Sequence, residues 1–132
     1  ENSYTSDYRQ DVLDLVNVER AKYGLQPLVM GDANLTAAAQ KRAEEIATVN
    51  SHTRPDGTKC FTVLNEYGVK DAPTGENAAW GNVSPEEGVK AWMNSEGHRA
   101  NILDPEARKM GVGYYYNSSS AWGHQWIQIF TK

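Results

Sequence analysis

The sequence has little of what marks several common protein classes. Its 132 residues include a single cysteine, Cys60, which excludes an intramolecular disulfide and a cysteine-rich zinc site. No apolar run approaches the roughly 20 residues that a membrane-spanning helix needs. The 13 basic residues are scattered and are outnumbered by 17 acidic ones, which argues against binding nucleic acid through its phosphates. We therefore expect one domain, spanning residues 1–132, with a packed core, no transmembrane segment and no nucleic-acid partner.

Familiar catalytic motifs are missing as well. The chain has no nucleophile elbow, no phosphate-binding loop and no His-Glu-x-x-His helix. Four tryptophans could stack on sugars, although their spacing is more typical of core positions: Trp80, Trp92, Trp122 and Trp126. Composition and motifs alone therefore do not identify a chemistry.

What the sequence does contain is a series of helical patterns followed by strand patterns. Apolar residues recur at helical spacing over 7–23, with Ser6 or Asp7 as the cap, and over 32–50. Ser84 with Glu87 forms a capping box for a third helix that reaches about Ser95, and a short turn follows at 98–103. Residues 51–81 show no periodicity, and so long a loop in a small domain is typical of a functional surface or of short elements without a clear pattern.

The last quarter of the chain predicts a β-hairpin. Strand-forming residues run from Met110 to Tyr116 and again from Trp122 to Phe130. Both faces of the second run are apolar, which requires that both faces be covered. These patterns predict an α/β fold, a three-layer α–β–α sandwich with a small antiparallel central sheet.

The three histidines and Glu76 stand out for their chemistry. His52 lies in the polar loop 51–57, His98 follows a helix end, and Glu76 lies in a Gly-Glu-Asn segment. Histidine beside carboxylates is the usual material of metal sites and of acid–base chemistry near neutral pH. The simpler interpretation is that each histidine, His124 included, stabilises a turn, and that Glu76 accepts backbone N–H bonds.

Taken together, the segments resemble the bacterial branch of the CAP superfamily, which comprises cysteine-rich secretory proteins, antigen 5 and pathogenesis-related 1 proteins. The match runs in order along nearly the whole chain, over residues 17–28, 35–47, 51–57, 75–77, 92–103, 110–114 and 126–130. The resemblance implies an α–β–α sandwich and a secreted or cell-surface location. It also implies a central cleft with two histidines and two glutamates, which sometimes holds a divalent metal.

The resemblance places His52 and Glu76 at two of the four cleft positions. At the other two this chain departs from the family, with Ser95 in place of the second glutamate and Gln125 in place of the second histidine. Bacterial members resemble this chain in a Ser-x-x-His pair, here Ser95 and His98. The predicted cleft is therefore His52, Glu76, Ser95 and His98, with Glu96 and His124 as neighbouring alternatives.

Two functions fit these residues, and the sequence leaves open whether the protein is an enzyme. The first is a module that binds an extracellular ligand or a cell-envelope component, which the incomplete tetrad and the absent nucleophile motif favour. The second is a hydrolase in which His52 or His98 is the base, Glu76 orients it, and Ser95 or a metal-bound water attacks.

A divalent metal is a further expectation. Two neutral imidazoles, from His52 and His98, and the Glu76 carboxylate suit Zn²⁺, and imidazole also accepts Ni²⁺ or Cu²⁺. Because imidazole must be neutral to ligate, the sequence predicts weak zinc binding that fades as the pH falls and that His52→Ala or His98→Ala abolishes.

Overall fold

The computed structural model describes residues 8–120 and 122–132, and the part described contains five helices and four strands. The elements in chain order are α1 (Tyr8–Lys22), β1 (Val29–Met30), α2 (Ala33–Ile46), α3 (Thr62–Glu66), β2 (Pro73–Trp80), α4 (Pro85–Met93), α5 (Glu96–Ile102), β3 (Lys109–Tyr116) and β4 (His124–Thr131). Among these helices, none is long and apolar enough to cross a membrane. The predicted caps Ser6 and Asp7 lie outside the described residues.

The four strands form one sheet in the order β1-β3-β4-β2. The predicted hairpin is present as β3 and β4, and β2 also pairs antiparallel with β4. The sheet is antiparallel over β2, β4 and β3, as predicted, and β1 adds a short parallel pairing with β3 through Val29 and Met30. A two-residue strand is too short to show an alternating pattern, so no local signal predicts it.

Helices cover both faces of the sheet, which confirms the α–β–α sandwich. On one face Trp126 and Phe130 belong to a core cluster that includes residues of α1, α4 and α5. On the other face Ile127 and Ile129 pack with residues of α2 and α3. All four side chains are fully buried, so β4 is apolar on both faces as predicted.

The stretch expected to be an irregular loop contains both α3 and β2. The sequence of β2, Pro-Thr-Gly-Glu-Asn-Ala-Ala-Trp, has no β-branched residue except Thr74 and includes residues that strands disfavour. The strand forms because it pairs along its length with β4, from Pro73 opposite Thr131 to Trp80 opposite Gln125. Pairing with a distant segment has therefore overridden a poor local propensity.

The helix ends differ modestly from those expected. The helix predicted to reach Asn50 ends at Ile46, and the one predicted to reach Ser95 ends at Met93. The predicted cap is present, since Ser84 Oγ accepts a hydrogen bond of 3.1 Å from the Glu87 amide. Residues 98–103, expected to be a short turn, fall mostly within α5.

Two glycines of β3 allow α2 to lie directly on the sheet. A Cβ at Gly111 would lie 2.8 Å from the Leu35 side chain and 2.9 Å from its carbonyl oxygen. A Cβ at Gly113 would overlap the carbonyl oxygen of Ala39. Because these obstacles include helix backbone, a side chain could be accepted only by moving α2 away from the sheet.

We expect Gly113→Ala to lower the free energy of unfolding by about 3 kcal/mol, the upper end for forced overpacking. Chemical denaturation followed by circular dichroism measures it. The matched control is Gly88→Ala in α4, where a Cβ meets nothing within 4 Å and should raise stability by about 0.5–1 kcal/mol. Equal effects of the two substitutions would contradict the close approach of α2.

Candidate functional site

The candidate site is built around β2, the strand at one edge of the sheet. Glu76 lies opposite Ile129, which packs in the layer of α2, whereas Asn77 lies opposite Gln128. Directly opposite residues of an antiparallel pair share a face, and successive residues alternate between faces. Glu76 therefore points to the α2 side and Asn77 to the α5 side, so the edge strand serves both layers at one point.

The Glu76 carboxylate is buried and is held by two partners. Arg42 on α2 donates from Nε to Oε2 at 2.8 Å and from Nη2 to Oε1 at 3.1 Å. His52 donates from Nδ1 to Oε1 at 2.7 Å. The Glu76 side chain is 1% exposed, whereas that of His52 is 57% exposed. A buried anion therefore anchors an imidazole whose other edge faces solvent.

These contacts set the charge states of the pair. Burial raises the pKa of Glu76, but the hydrogen bonds from His52 and Arg42 outweigh it and leave that pKa below its ordinary value. The hydrogen bond to Glu76 raises the pKa of His52, against burial and the nearby charge of Arg42. Glu76 is thus ionised at neutral pH, and His52 keeps its proton to a higher pH than a free histidine.

Arg42 also begins a chain of ion pairs that runs from the buried Glu76 to the exposed Glu66. It contacts Glu45 at 2.9 Å, Glu45 is bound by Arg54 at 2.6 Å, and Arg54 reaches Glu66 on α3 at 2.6 Å. Arg54 is two residues from His52 on the same loop, and it is buried. The loop that carries His52 is therefore fastened to α2 and α3 by charge-assisted hydrogen bonds.

A second polar pair lies at the start of α5. His98 Nδ1 is 2.9 Å from Ser95 Oγ. Ser95 is the N-cap residue of this helix, yet its hydroxyl makes no capping hydrogen bond to the backbone. The hydroxyl of an N-cap serine ordinarily accepts a hydrogen bond from a backbone amide. In this helix the Ser95 hydroxyl pairs instead with the imidazole of His98.

Asn77, which follows Glu76 on β2, hydrogen bonds to α5. Its Nδ2 donates to the carbonyl oxygen of His98 at 3.1 Å, and its Oδ1 accepts from Asn101 Nδ2 at 2.9 Å. Burial lowers the pKa of His98, and the positive charge of His52 lowers it further. The structure thus joins His52 to Glu76 and Ser95 to His98, and it sets the two pairs on the two sides of the same edge strand.

The other residues considered from the sequence lie elsewhere or play no such part. Glu96 is exposed in the first turn of α5. His124 Nδ1 lies 2.7 Å from the Tyr114 hydroxyl, at the hairpin end of the sheet. Gln125 is buried, and its amide lies 2.9 Å from Ser120 Oγ. The position that the family resemblance assigns to a second cleft histidine therefore belongs to the hairpin in this chain.

Sequence reasoning missed Arg42 and Cys60. Arg42 falls between Ala39 and Ala43 on the apolar stripe of α2, and a charged residue in a buried stripe is a sign of a buried ion pair. Cys60 gave no such sign, because its loop has no periodicity. Its sulfur, a Glu76 oxygen and a His52 nitrogen all lie within 4.8 Å of one another.

This geometry changes the expected metal site. The trio with mutually close ligand atoms, among the residues that the structure describes, is His52, Cys60 and Glu76, and it does not include His98. Burial, with the charge of Glu76, raises the pKa of the Cys60 thiol to about 12, so the thiol is neutral. Arg42 already contacts both oxygens of Glu76. The residues as arranged fit a resident metal ion poorly.

Comparison with known proteins identifies the class to which this architecture belongs. The sequence profile of the cysteine-rich secretory protein (CAP) family matches residues 13–130. The chain therefore belongs to the CAP family, as the resemblance predicted. It is 42% identical over 127 residues to YkwD, an uncharacterised protein of Bacillus subtilis (strain 168), covering 95% of this chain and 49% of that protein.

A second curated relative is YlbC, an uncharacterised membrane protein of the same organism. It is 34% identical over 106 residues, covering 79% of this chain and 30% of YlbC. The chain thus spans less than half the length of either curated relative.

Solved structures show the same fold. An extracellular protein of Bacillus anthracis that contains an SCP domain superposes with a TM-score of 0.82 at 25% identity, covering 100% of this chain and 45% of that one. An outer surface protein of Borrelia burgdorferi superposes with a TM-score of 0.84 at 20% identity, covering 100% of this chain and 97% of that one. The second likeness is one of fold alone.

We expect the two site histidines to titrate on opposite sides of the ordinary value of 6.5, His52 above and His98 below. Imidazole resonances followed by NMR against pH measure this. Glu76→Gln removes the anion and should lower the pKa of His52, whereas His52→Ala removes a neighbouring cation and should raise that of His98. A His52 pKa unchanged in Glu76→Gln would contradict the pairing.

The raised pKa of His52 makes the stability of the fold depend on pH. Because the folded-state pKa of His52 is raised, its protonation stabilises the fold fully below its unfolded value of 6.5. That contribution is lost as the pH rises through the folded-state pKa. The loss in free energy of unfolding caused by His52→Asn should therefore be larger at pH ~5.5 than at pH ~8.5, well to either side of that window.

Proposed function

We propose that this chain is an extracellular or cell-surface domain that binds a ligand at the cleft formed by His52, Glu76, Ser95 and His98. The observation that carries the proposal is the pair of hydrogen-bonded imidazoles, one on Glu76 and one on Ser95. Both lie at the edge strand β2, where Asn77, next to Glu76, donates to the His98 carbonyl. The likeness to an extracellular protein and to an outer surface protein supports the location.

The chemistry of the cleft favours a polar ligand. Both imidazoles use Nδ1 within the protein, which leaves Nε2 of each ring for a ligand. His52, protonated to a higher pH than usual, offers an N–H donor, and His98 offers a neutral ring. Amide, hydroxyl and carboxylate groups match this set, and all three occur in the peptides and glycans of cell envelopes.

We expect solubilised peptidoglycan fragments to shift the imidazole resonances of His52 and His98 in NMR titrations. His52→Ala and His98→Ala should each weaken binding by about tenfold or more, the loss of one charge-assisted or buried hydrogen bond. His124→Ala is the matched control, because that histidine contacts Tyr114 and should leave the affinity unchanged. No shift at either site histidine, or an equal loss in the control, would contradict the proposal.

A second candidate, a hydrolase, is favoured by the contact between Ser95 and His98. At 2.9 Å, Nδ1 of a neutral His98 can accept the Ser95 hydroxyl proton as the oxygen attacks a carbonyl carbon. Burial lowers the pKa of His98, so the ring is free to act as a base at neutral pH. This candidate needs no metal.

We expect a hydrolase of this kind to cleave fluorogenic ester or peptide substrates in the presence of a chelator. Ser95→Ala and His98→Ala should both reduce the rate to background, and the rate should rise with pH through a value below 6.5. Retained activity in Ser95→Ala with loss in His52→Ala would instead assign the attack to a water activated at the Glu76 side. Turnover that is absent from wild type with all these substrates would remove this candidate.

A further inference from the structure

We propose that Arg42 is the resident cation of the cleft, holding the place beside Glu76 that a divalent metal would need, so that the site works without a metal. The inference rests on the cleft proposed above but concerns a residue that the function did not require. It makes Arg42 a positioning residue, one that acts on a ligand only through Glu76 and His52.

The contacts of Glu76 carry the first step. One carboxylate oxygen accepts from Arg42 Nε at 2.8 Å, and the other accepts from Arg42 Nη2 at 3.1 Å and from His52 at 2.7 Å. A metal bound to either oxygen would therefore lie within a few ångströms of a guanidinium that cannot lose its charge. Repulsion between like charges at such a distance is strong where water is excluded, and Arg42 is fully buried.

The second step is that three potential metal ligands lie close to Arg42 and to one another. His52, Cys60 and Glu76 offer nitrogen, sulfur and oxygen atoms within 4.8 Å of one another, from two loop positions and one strand. Such a set suits Zn²⁺ or Co²⁺ once the thiol gives up its proton to the solvent. The three residues supply enough ligand atoms, but the charge of Glu76 is already balanced by Arg42. Removing Arg42 should therefore allow a metal ion to bind.

The variant that tests this, Arg42→Met, keeps the length of the side chain and removes its charge. The two carboxylates left behind each keep a partner, because Glu45 retains Arg54 at 2.6 Å and Glu76 retains His52 at 2.7 Å. The Ser51 carbonyl loses the donor that Arg42 Nη2 provides at 2.9 Å. Arg42→Lys is the conservative variant, which keeps the charge and loses the two-pronged contact. Arg9→Met on α1, in the opposite helical layer, controls for loss of one positive charge.

Cobalt(II) titration followed by absorption spectroscopy, with zinc titration by calorimetry, provides the readout. We expect wild type, Arg42→Lys and Arg9→Met to show no thiolate-to-cobalt charge-transfer band, and zinc to bind wild type no more tightly than His52→Ala. In Arg42→Met the band should appear and the zinc affinity should rise by about tenfold or more, as expected for removing a close buried charge. Adding Cys60→Ser to Arg42→Met should abolish the band.

Two outcomes would overturn the inference. One is a charge-transfer band in wild type, which would show that Arg42 does not exclude the metal. The other is a folded Arg42→Met that binds zinc no more tightly than wild type. If Arg42→Met does not fold, the wild-type titration decides: the band overturns the inference, and its absence with equal zinc affinity in wild type and His52→Ala supports it. No cleft ligand is needed, so the result is independent of the peptidoglycan titration.

Discussion

The buried pair of Arg42 and Glu76 is the interaction on which the arrangement of the site depends. Removing either partner would leave the other buried charge with one remaining partner, Glu45 for Arg42 or His52 for Glu76. Incomplete compensation of a buried charge is costly in a domain whose total stability is of the order of ten kcal/mol. The pair therefore fixes α2 against β2, and through Glu76 it fixes His52. The pair contributes more to fixing the geometry of the site than to stability, because a buried ion pair stabilises a fold little more than apolar packing once desolvation is counted.

An edge strand suits this role better than a central one. A strand that is paired on one side only leaves carbonyl groups on its other side, where side chains can reach them. In this structure Trp92 Nε1 donates to the Ala78 carbonyl at 3.1 Å, and Asn101 Nδ2 donates to the Glu76 carbonyl at 3.4 Å. These bonds cover the edge with helices, which discourages pairing with another chain. They also bring α5, and with it His98, to the strand that carries Glu76.

Much of the fold could be predicted from the sequence because its long elements carry strong local signals. The apolar stripe of α2, the Ser84 cap and the two-sided apolar pattern of Trp126–Phe130 are such signals. β1 and β2 could not be predicted, because one is two residues long and the other depends on a ladder with β4. His52 and Glu76 were indicated by resemblance. The place of Arg42 on the apolar stripe of α2 indicates a buried ion pair but not its partner, and Cys60 lies in a loop whose sequence carries no such signal.

The departures of this chain from the family pattern form a consistent set. A second cleft glutamate is replaced by Ser95, which forms a neutral pair with His98, and a second histidine by Gln125, which bonds within the hairpin. The resemblance implies a metal ligand at each of these two positions, and here Arg42 balances the charge of the Glu76 carboxylate. A group of residues with these two substitutions and a buried cation beside its carboxylate has little electrostatic attraction for a metal ion. What remains is a set of hydrogen-bonding groups with fixed directions, and the proposed preference for a polar ligand follows from that set.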